Sequence, residues 1–198
     1  LTRKPSVWFP GAKYHIYSRG NRKSPLFIDG EDRENYLNII KETMERHPFI
    51  LHAYCLMTNH THLQIETAQV PPTVFMKMIN THYAKYFNKK YDLTGHVFEK
   101  RYNWEIIDSL LYELDVNKYI HLNPLRAGMV DILEDYPWSS YRAYVLAEEN
   151  PLITTDHILS YFPNPSTLNY QKFIYAPKTD LSLFELNTLI NNNKYKQQ

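Results

Sequence analysis

The strongest constraint on the fold is a pair of strand-length segments separated by only two residues. Phe49 to Met57 is an apolar run, Thr58-Asn59 breaks it, and His60 to Thr67 alternates polar and apolar residues. So short a connection joins antiparallel neighbours, because a parallel crossover needs a dozen residues or more. Upstream, Lys13 to Arg19 alternates in the same period and Gly20-Asn21 ends it. Asp29 to His47 reads as a helix: Asp29, Glu31, Asp32 and Glu34 crowd its start, and Tyr36, Leu37, Ile40 and Met44 recur at helical spacing before Pro48 stops it. Downstream, Pro71-Pro72 marks a loop, and Phe75, Met78, Ile79, Tyr83 and Phe87 give a second helix over about Val74 to Lys90. Gly95 to Ile107 has the β-branched and aromatic character of a fourth strand. Asp108 or Ser109 then caps a third helix that runs to about Asn123, where Pro124 interrupts it.

This order of strand, helix, strand, strand, helix, strand predicts an α+β, ferredoxin-like fold: an antiparallel sheet with helices packed on one face, followed by an extra helix. Residues 1–149 are expected to form this domain. From about residue 150 the chain changes character, with Pro151, Pro163 and Pro165 and a polar end at residues 191–198. Residues 150–198 are therefore expected to be a C-terminal extension of one or two short helices with a frayed end.

A 198-residue chain that is 43% hydrophobic and 22% charged can build a core without disulfides. The single cysteine, Cys55, lies in an apolar run, so it reads as a small buried hydrophobe rather than a catalytic thiol, and it suits a reducing compartment. No apolar stretch nears the ~20 residues a bilayer span requires, and no signal peptide is visible. The expectation is a cytoplasmic protein without a membrane partner. The net charge of +1 conceals polarity. Residues 1–27 carry six bases (Arg3, Lys4, Lys13, Arg19, Arg22, Lys23) and no acid, whereas residues 105–150 carry nine acids against three bases. That asymmetry permits a basic face for a polyanion, or simply a solvated surface. Aromatic residues make up 15% of the chain, with 17 tyrosines, which suits stacking on unpaired bases as well as ordinary packing.

Two constellations carry chemistry. His60 and His62 are two apart on a strand, so both imidazoles leave the same sheet face, while Thr61 and Leu63 face the other way. Converging imidazoles can hold one divalent cation, and they can equally be strand histidines bonded to cross-strand neighbours. Tyr119 and Asn123 are four apart, one helical turn, so an amide oxygen could complete a metal site beside a phenol. The alternative is a core tyrosine and an asparagine that ends the helix before Pro124.

Taken together, the motifs resemble the single-tyrosine HUH transposases, and most closely the REP-associated tyrosine transposases of the IS200-like family. The resemblance rests on Tyr14-His15-Ile16-Tyr17-Ser18-Arg19-Gly20-Asn21-Arg22 with Leu26-Phe27, on Tyr54 to Leu63, on Gly95-His96-Val97-Phe98 with Arg101-Tyr102, and on Tyr119 to Gly128. Trp138-Ser139-Ser140-Tyr141, after Tyr136-Pro137, fits as well. Together these motifs span about residues 7–145 and leave the last ~50 residues uncovered. The resemblance implies that His60 and His62 are metal ligands and Asn123 the third, that Tyr119 is the nucleophile, and that the cofactor is Mg²⁺ or Mn²⁺. Thr61 departs from the hydrophobic residue usual between the two histidines. The implied activity is metal-dependent cleavage and rejoining of single-stranded DNA through a 5′-phosphotyrosine, at hairpin-forming repeats, by a protein associated with the nucleoid when it acts.

Tyr83, Tyr86, Tyr102 and Tyr112 compete for the nucleophile's role, but only Tyr119 has an amide one turn on. Arg19, Arg22, Lys23, Lys100 and Arg101 are candidate phosphate contacts; Arg126 is either a phosphate clamp or a surface residue. His96 and His121 match no ligand position. A domesticated nucleic-acid-binding protein without strand transfer, or a hydrolase using water, are the competing readings. Relatives work as monomers or as homodimers that exchange the tyrosine helix, and the sequence leaves both open.

Overall fold

The computed structural model describes residues 8–177. The polar stretch at residues 191–198, with Arg3 and Lys4, lies outside the described residues. The chain runs β1 (Lys13–Arg19), α1 (Gly30–Arg46), β2 (Phe49–Leu56), β3 (His60–Thr67), α2 (Pro72–Lys90), β4 (Asn103–Ile107) and α3 (Leu110–Arg126). Three shorter helices follow, α4 (Tyr141–Val145), α5 (Asp156–Leu159) and α6 (Ser166–Tyr175). The strands form one sheet in the order β2-β3-β1-β4, and every neighbouring pair is antiparallel. This is the α+β arrangement expected from the sequence.

Strand alternation divides the sheet into two faces. Tyr14 and Ile16 of β1, Leu51 of β2, and Leu63 and Ile65 of β3 point to one side, where they share a core with Tyr36 and Ile40 of α1 and with Phe75, Met76, Ile79 and Tyr83 of α2. Helices α1 and α2 therefore lie on that face. The start of α1 is fixed by a capping box, in which Asp29 accepts from the Asp32 backbone and Asp32 accepts from the Asp29 backbone. On the opposite face Ala53, Cys55 and Ile107 pack against Val116 and Ile120 of α3. Cys55 is fully buried, and burial pushes its thiol pKa up, as befits an inert core residue.

Helix α3 is covered in turn. Leu114 and Leu122 share a second core with Tyr141 and Tyr144 of α4, Ile158 of α5, and Tyr170, Phe173 and Ile174 of α6. His121 lies inside this layer, bonded to the Tyr170 hydroxyl at 2.6 Å and to Ser140 Oγ at 2.8 Å. Burial alone depresses its pKa to about 3, so it is a neutral structural histidine. Asn117 continues the network, accepting from Tyr170 at 2.5 Å and donating to Gln64 of β3 at 2.8 Å. The tyrosine-bearing helix is thereby bolted to the sheet on one side and to α6 on the other.

Two boundaries differ from the sequence reading. The fourth strand begins at Asn103 rather than Gly95, since Gly95 takes a left-handed φ of 92° and residues 95–102 form a loop. That loop is stitched to the end of β1 by the Asn21 N–H donating to Val97 and the Glu99 N–H donating to Arg19. Helix α3 continues through Pro124 to Arg126. Pro124 falls in the last turn, and the backbone bonds after it still form, with the Ala127 N–H reaching the Asn123 carbonyl at 2.9 Å. Among the described residues no helix is long and apolar enough to cross a membrane.

Candidate functional site

The register of β1 against β3 assembles the centre of the site. Tyr17 lies opposite His62 and His15 opposite Gln64, so all four side chains leave the α3 face. Arg19 lies opposite His60, at the end where β1 leaves the sheet. A cavity of about 540 Å³ opens here between the strand ends, the 99–105 segment and α3. His60, His62 and Tyr119 all line it, together with His15, Tyr17, Arg19 and Lys100. The ring centroids of His60 and His62 are 5.0 Å apart, and the Tyr119 ring stands perpendicular to that of His62 at 5.3 Å. One chain thus brings its own tyrosine to its own histidines.

Each histidine is held from behind. His60 Nδ1 is 2.7 Å from Asn59 Oδ1, and His62 Nδ1 is 2.9 Å from His15 Nε2. His62 Nε2 is shielded from water and has no hydrogen-bond partner. Leaving a buried polar atom unpaired costs about 1–3 kcal/mol, which a cation at that nitrogen would relieve. Burial drives the His60 and His62 pKa values down, with Arg19 adding to the effect at His60, and His15 and then His60 adding at His62. Burial likewise lowers that of His15 to about 4 against an opposing pull from Glu105. All three imidazoles are therefore neutral at physiological pH, the state a metal ligand needs.

The cavity's charges bear on the same point. Its carboxylates are Glu99, Glu105 and Asp115, and its fixed cations are only Arg19 and Lys100. The lining thus carries one more carboxylate than fixed cation, which suits a bound cation. Among the described residues no three His, Cys, Asp or Glu side chains converge as a metal-holding group. The two imidazoles would thus need a ligand of another kind.

Asn123 is not among the residues lining the cavity. Its side-chain amide nitrogen donates to the Tyr119 carbonyl at 2.7 Å, which leaves the amide oxygen free of that bond. The geometry thus brings Tyr119 to the histidines but places Asn123 on the neighbouring turn.

The rival tyrosines separate by environment. Tyr83 is fully buried and donates to the Leu26 carbonyl, Tyr86 is bonded to Asp32 on the far face, and Tyr102 is buried. Tyr112 does line the cavity, where its hydroxyl donates to Glu105 at 2.7 Å. Burial and that carboxylate both raise its pKa, so its phenol stays protonated. Burial and Glu105 act on Tyr17 in the same way. Tyr119 is 39% exposed, and the Arg126 guanidinium lies 5.8 Å from its ring centroid.

The expected phosphate contacts form two groups. Arg19 and Lys100 line the cavity, and Lys100 and Arg101 also line an adjoining groove against α2. Arg22 and Lys23 are exposed on a turn whose φ values are 53° and 62°. This turn is held by Gly20: a Cβ there would sit 2.1 Å from the Ser24 carbonyl oxygen. Gly20→Ala is expected to destabilise the protein by about 1–3 kcal/mol and to displace the basic turn, read as a lower melting temperature. An unchanged melting curve would show that the turn tolerates the methyl. Sequence reasoning missed His15, Glu105 and Asn59; their signal was alternation within β1 and β4 and adjacency to His60, which names neighbours only once the register is known.

The family described as Transposase IS200 like matches residues 9–123. A Haemophilus influenzae protein bearing the name REP-associated tyrosine transposase is 29% identical over 127 residues, 56% of this chain and 69% of that protein. The fold is similar to that of a REP-associated tyrosine transposase solved bound to a REP hairpin, with a TM-score of 0.64 and 16% identity over 79% of this chain and 90% of that one. A transposase structure from Deinococcus radiodurans R1 aligns over 60% of this chain and 95% of its own with a TM-score of 0.43 and 17% identity. The matched region runs from before β1 into α3 and holds both histidines and Tyr119, and the chain belongs to the IS200-like transposase family.

Proposed function

We propose that this protein cuts and rejoins single-stranded DNA through a covalent link to Tyr119, at hairpin-forming repeats such as the one bound by its structural relative. The observation that carries the reading is the convergence of Tyr119 with His60 and His62 in one cavity of a single chain. In this reading His60 and His62, with the amide oxygen of Asn123, hold a divalent cation, Mg²⁺ or Mn²⁺. When bound, such a cation polarises a non-bridging oxygen of the scissile phosphate and offsets the charge that develops on it.

The chain's own residues supply the rest. The Tyr119 oxygen forms a bond to phosphorus, the bond from phosphorus to the 3′ oxygen breaks, the phenolic proton passes to solvent, and the departing 3′ oxygen takes up a proton from solvent. The products are a 5′-phosphotyrosine and a free 3′-hydroxyl. The transferred ester keeps the energy of the phosphodiester, so a second 3′-hydroxyl can displace Tyr119 and rejoin DNA without a nucleotide cofactor. Arg126 beside the tyrosine ring, with Arg19 and Lys100, is suited to hold the phosphates on either side. Arg22, Lys23 and Arg101 would extend this track along the strand. Tyr112 and Tyr17, tied to Glu105, shape the wall without competing for phosphorus.

The test is to incubate the protein with labelled single strands carrying hairpins from the DNA flanking its gene, with Mn²⁺ or with chelator. A denaturant-resistant adduct that forms only with metal and maps to Tyr119 by peptide mass is the expected result. Cleavage without adduct would make it a hydrolase. Hairpin binding without cleavage would make it a binding protein that has lost strand transfer.

A further inference from the structure

We infer that His15 and Asn59 are positioning residues that set the ring tautomers of His62 and His60, so that both imidazoles carry their proton on Nδ1 and present the Nε2 lone pair. The inference rests on the proposed role of the two histidines as cation ligands, and it concerns what holds them ready for that role.

For His60 the hydrogen bonds leave one choice. The Asn59 side chain makes two contacts, one to the Lys23 carbonyl oxygen at 3.2 Å and one to His60 Nδ1 at 2.7 Å. A carbonyl oxygen can only accept, so the amide nitrogen of Asn59 must face Lys23 and the amide oxygen must face His60. An amide oxygen can only accept as well, so His60 Nδ1 must carry the proton and Nε2 is left with its lone pair. The choice is anchored outside the strand, because Lys23 sits on the turn after β1 that Gly20 closes and that pairs with Asn59 through the Gly20 N–H.

For His62 the same logic runs through a second imidazole. His15 Nε2 and His62 Nδ1 are 2.9 Å apart, with the two rings stacked at 5.1 Å, so one nitrogen donates and the other accepts. The far nitrogen of His15, Nδ1, lies 4.0 Å from the Glu105 carboxylate. That is too long for a hydrogen bond, yet the negative field favours the proton on Nδ1. Its Nε2 is then the acceptor, His62 Nδ1 is the donor, and His62 Nε2 is the buried nitrogen left without a partner. Engaging one ring nitrogen to free the other is how a ligating histidine is oriented, commonly by a carboxylate or a backbone carbonyl. Here a histidine and an asparagine fill those posts. His15 is 6% exposed on the sheet face that carries α3, where aliphatic residues are buried more often than histidine.

The experiment has two readouts. Long-range ¹H–¹⁵N spectra of the metal-free protein with labelled histidine report which ring nitrogen is protonated. The expected result is Nδ1–H at both His60 and His62; Nε2–H at either would overturn the inference. Calorimetric titration with Mn²⁺ alone then compares His15→Phe and Asn59→Ala with His15→Gln and Asn59→Asp. The first pair removes the acceptor and should weaken binding about 10–100-fold, while the second pair keeps an acceptor and should stay within a few-fold of wild type. Equal affinity across all four variants would overturn the inference. Equal losses in both pairs, with matching falls in melting temperature, would reduce the two residues to packing and overturn it too. Should the wild-type protein bind no Mn²⁺, the cation reading of the site fails, and the tautomers seen in the spectra still decide whether His15 and Asn59 set them.

Discussion

Tyr119→Phe is expected to abolish the covalent protein–DNA adduct and to slow strand cleavage by at least about a thousandfold, because the substitution removes the oxygen that would bond to phosphorus and nothing else. The structural cost should be small. Tyr119 is 39% exposed at the cavity wall, so the melting temperature should stay within the range of an ordinary surface change, about 0.5 kcal/mol. Hairpin binding should persist, since the phosphate contacts proposed above are assigned to other residues. Tyr112→Phe is the paired control. Its hydroxyl lines the same cavity but is committed to Glu105, so adduct formation should survive. An adduct in Tyr119→Phe that vanishes in Tyr112→Phe would move the nucleophile two turns back along the same face of α3 and overturn the assignment. Gel analysis under denaturing conditions, with peptide mapping of the linked residue, reads both variants.

His60→Ala is expected to weaken Mn²⁺ binding by more than about 100-fold and to remove metal-dependent cleavage, since losing a ligand should exceed the effect of losing a residue behind it. His60 is the cleaner site for this test because it is half-buried at the strand's end. His62 is 5% exposed among His15, Tyr17 and Tyr119, so His62→Ala should add a folding cost of about 2 kcal/mol to the same loss of metal. Hairpin affinity in chelator should change less than threefold in either variant. Metal affinity and cleavage that survive in His60→Ala would show that the imidazoles serve only the fold, and calorimetry alongside a cleavage time course reads both.

How much of this was legible in the residues depended on the range of the interactions involved. The sheet face of His60 and His62 followed from alternation, because strand geometry fixes side-chain direction locally. The helix containing Tyr119 and the cap at Ser109 were likewise local matters, and Ser109 does accept the Tyr112 N–H. Where a local rule failed, the cause was local competition. Pro124 was read as a break, yet the turn around it keeps enough backbone bonds to run on to Arg126. Gly95 to Tyr102 has strand-like residues but no room in the ladder, and only Phe98 bridges back to Gly20.

The sequence by itself determined the order of elements, the shared face of the histidine pair and the family to which the chain belongs, because periodicity and motif spacing are properties of neighbouring residues. Only the tertiary structure decided what meets that pair. The pairing of β1 with β3 sets His15 behind His62, the docking of α3 against β2 and β3 sets Tyr119 5.3 Å from it, and the Asn123 amide nitrogen donates back to the Tyr119 carbonyl on the same helix. The first two of those contacts join residues 47 and 57 positions apart. They are fixed by which apolar faces bury against one another, a choice made by the whole core and written in no single segment.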